Sequence, residues 1–450
     1  MKLSFISVLL FCTLPMISQQ PKKIIAGPML GHTELRTTEI WLEFTPEVKK
    51  ASIIYWNPKS GKNQSHLDIP LAGGEFNTGK FILTGLEPGT TYVYNITADK
   101  VTTPTDTFTT QLLWNWRVPA PDFSFLSGSC AYFNEPVYDR PGKPYGGDSS
   151  IFETMAKENA AFTLWLGDNW YTREPDYFSE WGLSYRASRD RSLTVLQNLL
   201  KKMPQYAIWD DHDYGPNDAD KSYILKEPSR SVFMKYWANP SYGFNGQGIY
   251  SKITWNDVDI FMMDDRWYRS NDKMPDSISG QPNKDKKMYG EEQMEWLKNS
   301  LLFSNKLSEI SFRIIATGSQ VLNSYSPYDC LRHFPAEFNE LLNFISDNKI
   351  NGVLFLTGDR HHSEIIKMDR KETYPLYDIT VSPFTSGIGK THGAELHNPT
   401  RIGKEIDEQN YARFSLTGKG NQRVLKVSFI GLHGENLSEW SAKRSEVTSE

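Results

Sequence analysis

The feature that most constrains this chain is an apolar run that ends on a carboxylate. Residues 161–171 read Ala-Phe-Thr-Leu-Trp-Leu-Gly-Asp-Asn-Trp-Tyr, so a buried-strand pattern stops at Gly167-Asp168 and presents Tyr171 three residues later. A short apolar run bounded by Gly reads as a buried strand, and open α/β sheets place their ligands just beyond such strand ends. Taken alone, Gly-Asp after a strand is also a common loop opening. The arrangement recurs, however. Residues 203–209 lead into Asp210-Asp211-His212-Asp213, residues 350–357 into Gly358-Asp359-Arg360-His361-His362, and residues 121–129 into Cys130. Four strands that each deliver Asp, His or Cys at their C-terminal ends predict one site assembled along a sheet edge.

A chain of 450 residues has room for two domains and a sizeable core. Its net charge of -5 and the lack of a dense Lys/Arg block exclude long-range attraction to nucleic acid or anionic membranes. Residues 1–20 have a basic start, an apolar stretch too short to span a bilayer comfortably, and a polar exit, the pattern of a secretory signal peptide. The expectation is therefore an exported protein, periplasmic or secreted, monomeric, and without a transmembrane helix once the signal is removed. Removal of Cys12 with that segment leaves Cys130 and Cys330. An oxidising compartment allows them one disulfide, while the position of Cys130 at a strand end, among the other candidate ligands, favours a functional thiolate.

Residues 22–112 show short alternating strands with turn signals, as in residues 39–44, 51–56 and 81–95, and predict a β-sandwich. The run Leu86-Glu-Pro-Gly-Thr-Thr-Tyr-Val-Tyr94 resembles the corner of fibronectin type III domains. After a Pro-containing linker, residues 121–440 alternate strands with helices, the latter expected over 149–160, 193–200, 290–302 and 334–346, and predict a large α/β domain.

Phenolate and thiolate suit a redox-capable ion such as iron, whereas carboxylate and amide oxygens suit a harder ion such as Ca²⁺, Mg²⁺ or Mn²⁺. Two different metals bridged by one Asp would lower the pKa of a water and neutralise the oxygens of a phosphorus centre during in-line displacement. His212, beside Asp211, is then placed to stabilise that charge or protonate the leaving oxygen. Asn217-Asp218 either completes the oxygen-rich site or closes the turn at Gly215-Pro216. Arg186 and Arg266 are candidate phosphate clamps, since a guanidinium fork pairs bidentately with phosphate oxygens, although Arg266 reads equally as a buried partner of Asp264.

Ser129-Cys130, Gly167 to Tyr171, Trp209 to Asp218, Asp264-Asp-Arg-Trp-Tyr268, Gly290 to Leu297 and Gly358 to Glu364 together resemble the PhoD-like alkaline phosphatases, a branch of the calcineurin-like metallophosphoesterases. The resemblance runs over about residues 123–386 and extends to the N-terminal sandwich. It implies a four-layer α/β sandwich, phosphoester hydrolysis, and Fe³⁺ partnered by Ca²⁺, with Mn, Mg or Zn as substitutes. Carried over residue by residue, iron falls to Cys130, Asp168, Tyr171 and His361, while Asp168, Asp211, Asn217 and Asp359 face calcium. The superfamily's Gly-Asn-His motif sets its metal-binding Asn just before the His, which favours Asp211 over Asp210. Two departures stand out: the leader lacks a twin-arginine pair, and Gly215-Pro216 lengthens the spacing to Asn217. The other readings are a phosphodiesterase or phospholipase D-like hydrolase and a non-catalytic surface-binding protein.

Overall fold

The computed structural model describes residues 23–61 and 64–449. The leader-like residues 1–20, with Cys12, lie outside them. Two sheets form the N-terminal sandwich. One has three strands, Ile24–Thr33, Thr37–Phe44 and Asn77–Thr84, and the other has five, centred on Lys50–Trp56 and Thr91–Ala98. Strict alternation of buried and less buried positions along Thr91–Ala98 turns Tyr92, Tyr94 and Ile96 inward against Ile40, Ile53, Phe81 and Phe108. At the expected corner, Tyr92 stacks on Phe108 at 5.3 Å and its hydroxyl accepts the Glu87 N–H at 2.9 Å. The sandwich is anchored to the larger C-terminal domain: the Trp41 indole donates to the Lys235 carbonyl at 2.8 Å, and the His32 N–H to that of Ala238 at 2.8 Å.

The rest of the chain is a four-layer α/β sandwich. A six-stranded sheet runs in the order Gln205–Ile208, Thr163–Leu166, Phe123–Gly128, Asn410–Thr417, Val424–Gly431 and Asn436–Lys443. A seven-stranded sheet runs Ser251–Trp255, Val258–Met262, Phe312–Thr317, Val353–Thr357, Leu376–Thr380, Ser363–Met368 and Arg401–Ile406. The inner faces share one core, in which Phe125, Leu166 and Phe414 of the first sheet belong with Ile260, Ile315 and Phe355 of the second. Helices Ile151–Ala156, Glu180–Arg191, Thr194–Lys202 and Lys226–Tyr236 accompany the first sheet, and Gly290–Lys306 and Pro335–Asp347 the second.

Register places the site. Thr163 pairs with Leu126 and Gln205 in parallel, and Trp165 with Gly128 and Ala207, so the ends at Ser129, Gly167 and Trp209 lie side by side. In the second sheet Arg313 pairs with Val353 and Thr317 with Thr357, which aligns Gly318 with Gly358. Gly358 lets the two sheets meet at this rim: a Cβ there would stand 2.8 Å from the Leu166 carbonyl oxygen and 2.8 Å from the Ser129 side chain. The first helix is shorter than its sequence suggests, Ile151–Ala156 in place of 149–160. Helix Glu180–Arg191, with strands Ser251–Trp255, Ser363–Met368, Arg401–Ile406 and Asn436–Lys443, was not expected from the apolar pattern. The cause is clear for the helix, since its buried face includes Arg186, Asp190 and Arg191 and leaves no apolar stripe to read. No described helix is long and apolar enough to cross a membrane.

Candidate metal centre

The strand ends converge on a cavity of about 810 Å³ lined by Asp168, Asp211, His212, Asn217, Asp218, Asp359, His361 and His362 among others. Backbone strain marks the convergence. Cys130, Asp168, Asp359 and His361 all have positive φ, at 62°, 53°, 66° and 59°. A non-glycine residue pays of order 1–3 kcal/mol for such a conformation, and it persists where the surroundings over-determine it, as at ligand clamps. Asp213 supplies part of that determination: its carboxylate accepts the Asn169 N–H and the Asp210 N–H, both at 3.0 Å, and so fixes the Asp168 turn against the Asp211 turn.

Asp168 is the pivot. Its carboxylate lies 3.6 Å from Cys130 Sγ on one side and accepts the His212 N–H at 3.3 Å on the other. It is the one residue common to two groups whose ligand atoms all lie within 4.8 Å of one another, Cys130–Asp168–His361 and Asp168–Asp211–His212. Tyr171 Oη stands 3.1 Å from His361 Nε2, and the Tyr171 ring lies 4.1 Å from that of His212. Atoms bound to one cation at about 2.0–2.3 Å stand roughly 3 Å apart, so these separations suit shared coordination. Behind the thiol, Ser382 Oγ donates to Cys130 Sγ at 3.2 Å and accepts the His361 N–H at 2.9 Å. Cys130 and Cys330 are both buried and free, so no disulfide joins them.

Electrostatics also favours a cation. Burial, then the charges of Asp211 and Cys130, pushes the Asp168 carboxyl well above the usual range, and burial followed by Asp329 takes Asp359 up to about 7. Burial and Asp359 raise the Cys130 thiol to about 12, and burial and Asp168 raise Tyr171 further above its ordinary value. Burial lowers His361 to about 4. Burial alone would raise Asp211 as well, yet His212 and the Arg266 guanidinium outweigh it and hold Asp211 below the usual carboxylate range. Burial and crowding thus disfavour the anionic forms of Asp168, Asp359, Cys130 and Tyr171, a cost that a multivalent cation among them would offset. The donors therefore fit a soft or redox-capable ion on the Cys130–Tyr171–His361 side and an oxygen-seeking ion on the Asp211 side, with Asn217 and Asp359 in the same cavity lining.

Asp211 and Asn217 both line the cavity. Asp210 turns away from it and accepts Arg266 Nε at 2.6 Å. The two clamp candidates require correction. Arg186 is fully buried away from the cavity and paired with Asp176 and Glu135, each at 2.8 Å. Arg266 is also fully buried, held by Asp210 and by Asp329 at 2.6 Å, and does not line the cavity either. Only its backbone N–H reaches Asp264, at 3.0 Å. Each guanidinium is buried and paired with carboxylates, out of reach of a phosphate in the cavity. A second buried group, His362–Glu364–Glu395, has its acids taken by guanidinium groups: Arg401 binds Glu364 at 2.6 Å and Arg360 binds Glu395 at 2.7 Å. Tyr145, Arg269 and Asp329 line the cavity without having been singled out from sequence, whereas Asp218 was named there together with Asn217.

The profile of the PhoD-like phosphatase family matches residues 125–424. Alkaline phosphatase D of Bacillus subtilis (strain 168) is 27% identical over 323 residues, 62% of this chain, and the match spans about half of that relative, 52% of its length. Among solved structures, one described as PhoD superposes with a TM-score of 0.74 at 18% identity, covering 96% of this chain and 90% of that one. The purple acid phosphatase PPD1 from yellow lupin (Lupinus luteus) seeds superposes with a TM-score of 0.68 at 10% identity, covering 92% of this chain and 74% of that one. At those identities the structural likenesses speak for the fold, while the family match runs through the strand ends that build the cavity. By that match the chain belongs to the PhoD-like phosphatase family.

Proposed function

We propose that the chain is an exported metal-dependent phosphoesterase that hydrolyses phosphomonoesters at a two-metal centre of iron and calcium type. The observation that carries this reading is the position of Asp168 between a thiol–imidazole group and a carboxylate–imidazole group at one cavity wall. Cys130, Tyr171 and His361 would hold iron, Asp211, Asn217 and Asp359 calcium, and Asp168 both. Such a pair supplies Lewis-acid polarisation of the phosphoryl oxygens and a nucleophile at neutral pH. The His212 imidazole hydrogen-bonds the developing charge or gives its proton to the leaving oxygen, and the His212 backbone N–H, donated to Asp168 at 3.3 Å and to Asp211 at 2.9 Å, fixes the residue beside both carboxylates. On this reading residues 22–112 are structural, residues 121–440 carry the chemistry, and residues 1–20 direct export. A cavity of about 810 Å³ also has room for a second ester group, which keeps diesters in view.

The purified protein should hydrolyse p-nitrophenyl phosphate, with the bis ester assayed alongside to rank the two classes. EGTA should remove most of the activity and Ca²⁺ should restore it, while iron measured by elemental analysis stays in place. Full turnover after EGTA would refute the calcium assignment, and a fully active, iron-free protein the iron assignment.

Colour provides an independent check on Tyr171. A phenol titrates near ~10 in water and higher when buried, so it exists as phenolate at neutral pH only beside a strongly polarising cation. Bound to ferric iron it should give a visible charge-transfer band. Tyr171→Phe keeps the ring against His212 and removes the oxygen, and that band should vanish. An iron-replete Tyr171→Phe protein with the wild-type spectrum would exclude Tyr171 as a ligand.

A further inference from the structure

The imidazole of His361 is gripped from both sides. Nε2 faces Tyr171 Oη at 3.1 Å, and the residue belongs to the group formed with Cys130 and Asp168. Nδ1 faces outward, and among the described residues its hydrogen-bond partner is Tyr145 Oη at 2.9 Å. Tyr145 belongs to the long loop between strand Phe123–Gly128 and helix Ile151–Ala156. Such a loop orients an imidazole only if it is itself fixed, and this one is. Gly146 exchanges two hydrogen bonds with the Asn134 side chain at 2.7 and 3.0 Å, and the Gly147 N–H donates to the Thr385 carbonyl at 2.6 Å. The Tyr145 ring meets Tyr132 edge-on at 4.9 Å, and a Cβ on Gly387 would stand 2.8 Å from it, so the backbone leaves a fitted slot for the ring. The segment that forms the slot also fixes the His361 backbone, since the Gly389 N–H donates to the His361 carbonyl at 2.8 Å.

A neutral imidazole offers one N–H and one lone pair, and the partner of one nitrogen decides which role the other takes. We propose that Tyr145 is a positioning residue, whose Oη accepts Nδ1–H of His361 and so holds the ring in the tautomer and orientation that turn the Nε2 lone pair toward Tyr171 and Asp168. A phenol is a neutral acceptor, where a carboxylate would add another negative charge to a cluster already crowded with Asp168, Asp211 and Asp359. Partners of this kind fix ligand orientation and typically change metal affinity or activity by about 10–100-fold. The inference rests on the metal-centre reading, and the test separates the two.

Wild type, Tyr145→Phe and His361→Gln are compared for iron content, for iron release to a competing chelator, for the visible spectrum, and for kcat and KM with p-nitrophenyl phosphate. Because Tyr145 is 42% exposed, Tyr145→Phe should fold normally. Its expected signature is iron held about tenfold more weakly, a shifted charge-transfer band, and kcat lowered about tenfold with KM within twofold of wild type. Wild-type iron retention in Tyr145→Phe beside an iron-poor His361→Gln would overturn the role of Tyr145 and leave the metal centre standing. A rise in KM alone would likewise overturn it, making Tyr145 a substrate contact. Iron retained by His361→Gln would bring down the metal assignment and this inference together.

Discussion

Asp168→Asn should abolish phosphoester hydrolysis while leaving the protein folded. The carboxylate is the member shared by both donor groups, so on the proposed two-metal reading its loss would remove a ligand from two cations and the negative charge that would offset their mutual repulsion. Several kcal/mol of transition-state charge stabilisation corresponds to about a thousandfold or more in rate. The fold has little to lose, because Asp168 makes none of the strand pairing and its carboxyl is already burdened by burial and by Asp211. A neutral amide relieves part of that crowding, so metal-free Asp168→Asn should melt no lower than metal-free wild type. Added metal should raise the wild-type midpoint, since ligands that bind only the folded state stabilise it, and should raise the variant's far less. Elemental analysis of both proteins, with turnover of p-nitrophenyl phosphate, checks this. Unchanged metal content and rate in the variant would reduce Asp168 to a loop residue.

Much of the site is legible in sequence because its geometry is local. Where an apolar run stops at Gly167-Asp168, Trp209-Asp210-Asp211 or Gly358-Asp359, the strand end and the candidate ligand are adjacent in the chain, and parallel register does the rest. Asp211 over Asp210 rested on the resemblance to the superfamily motif, because local pattern says that neighbours at a turn point in different directions but not which of them faces the cavity; Asp211 lines it and Asp210 accepts Arg266. Tyr145, Ser382 and Asp329 could not be found this way. Each comes from a loop whose placement depends on contacts with distant segments, such as the Gly147 to Thr385 bond, and nothing in Lys-Pro-Tyr-Gly-Gly signals a histidine partner 216 residues away. The two arginines failed for a different reason. A guanidinium fork has the same complementarity to carboxylate as to phosphate, so residue type alone cannot say which it will meet. Helix Glu180–Arg191 shows the related failure, a buried face built from ion pairs that carries no apolar period.

That reassignment predicts a large effect on stability. Arg266→Met should destabilise the protein by about 3–5 kcal/mol, the range for removing one partner of a buried ion pair and leaving its carboxylates unpaired. Asp210 is fully buried and already pushed upward by burial, with Arg266 as the main opposing influence; Asp329 shares the same guanidinium and also binds Arg269 at 2.9 Å. The methionine fills the space of the stem but offers nothing to either acid. Most of the cost is thus an uncompensated charge, and neutralising that charge should recover part of it. Arg266→Met combined with Asp210→Asn should be more stable than Arg266→Met alone, although Asp210 is removed as well. Two contacting groups are expected to show such non-additivity, by roughly 0.5–3 kcal/mol. Denaturation midpoints of the wild type, both single variants and the double variant form the cycle. Were Arg266 a phosphate clamp, the single variant would keep its midpoint and raise KM for p-nitrophenyl phosphate. A lowered midpoint, partly restored in the double variant, is what a guanidinium locked between Asp210 and Asp329 requires.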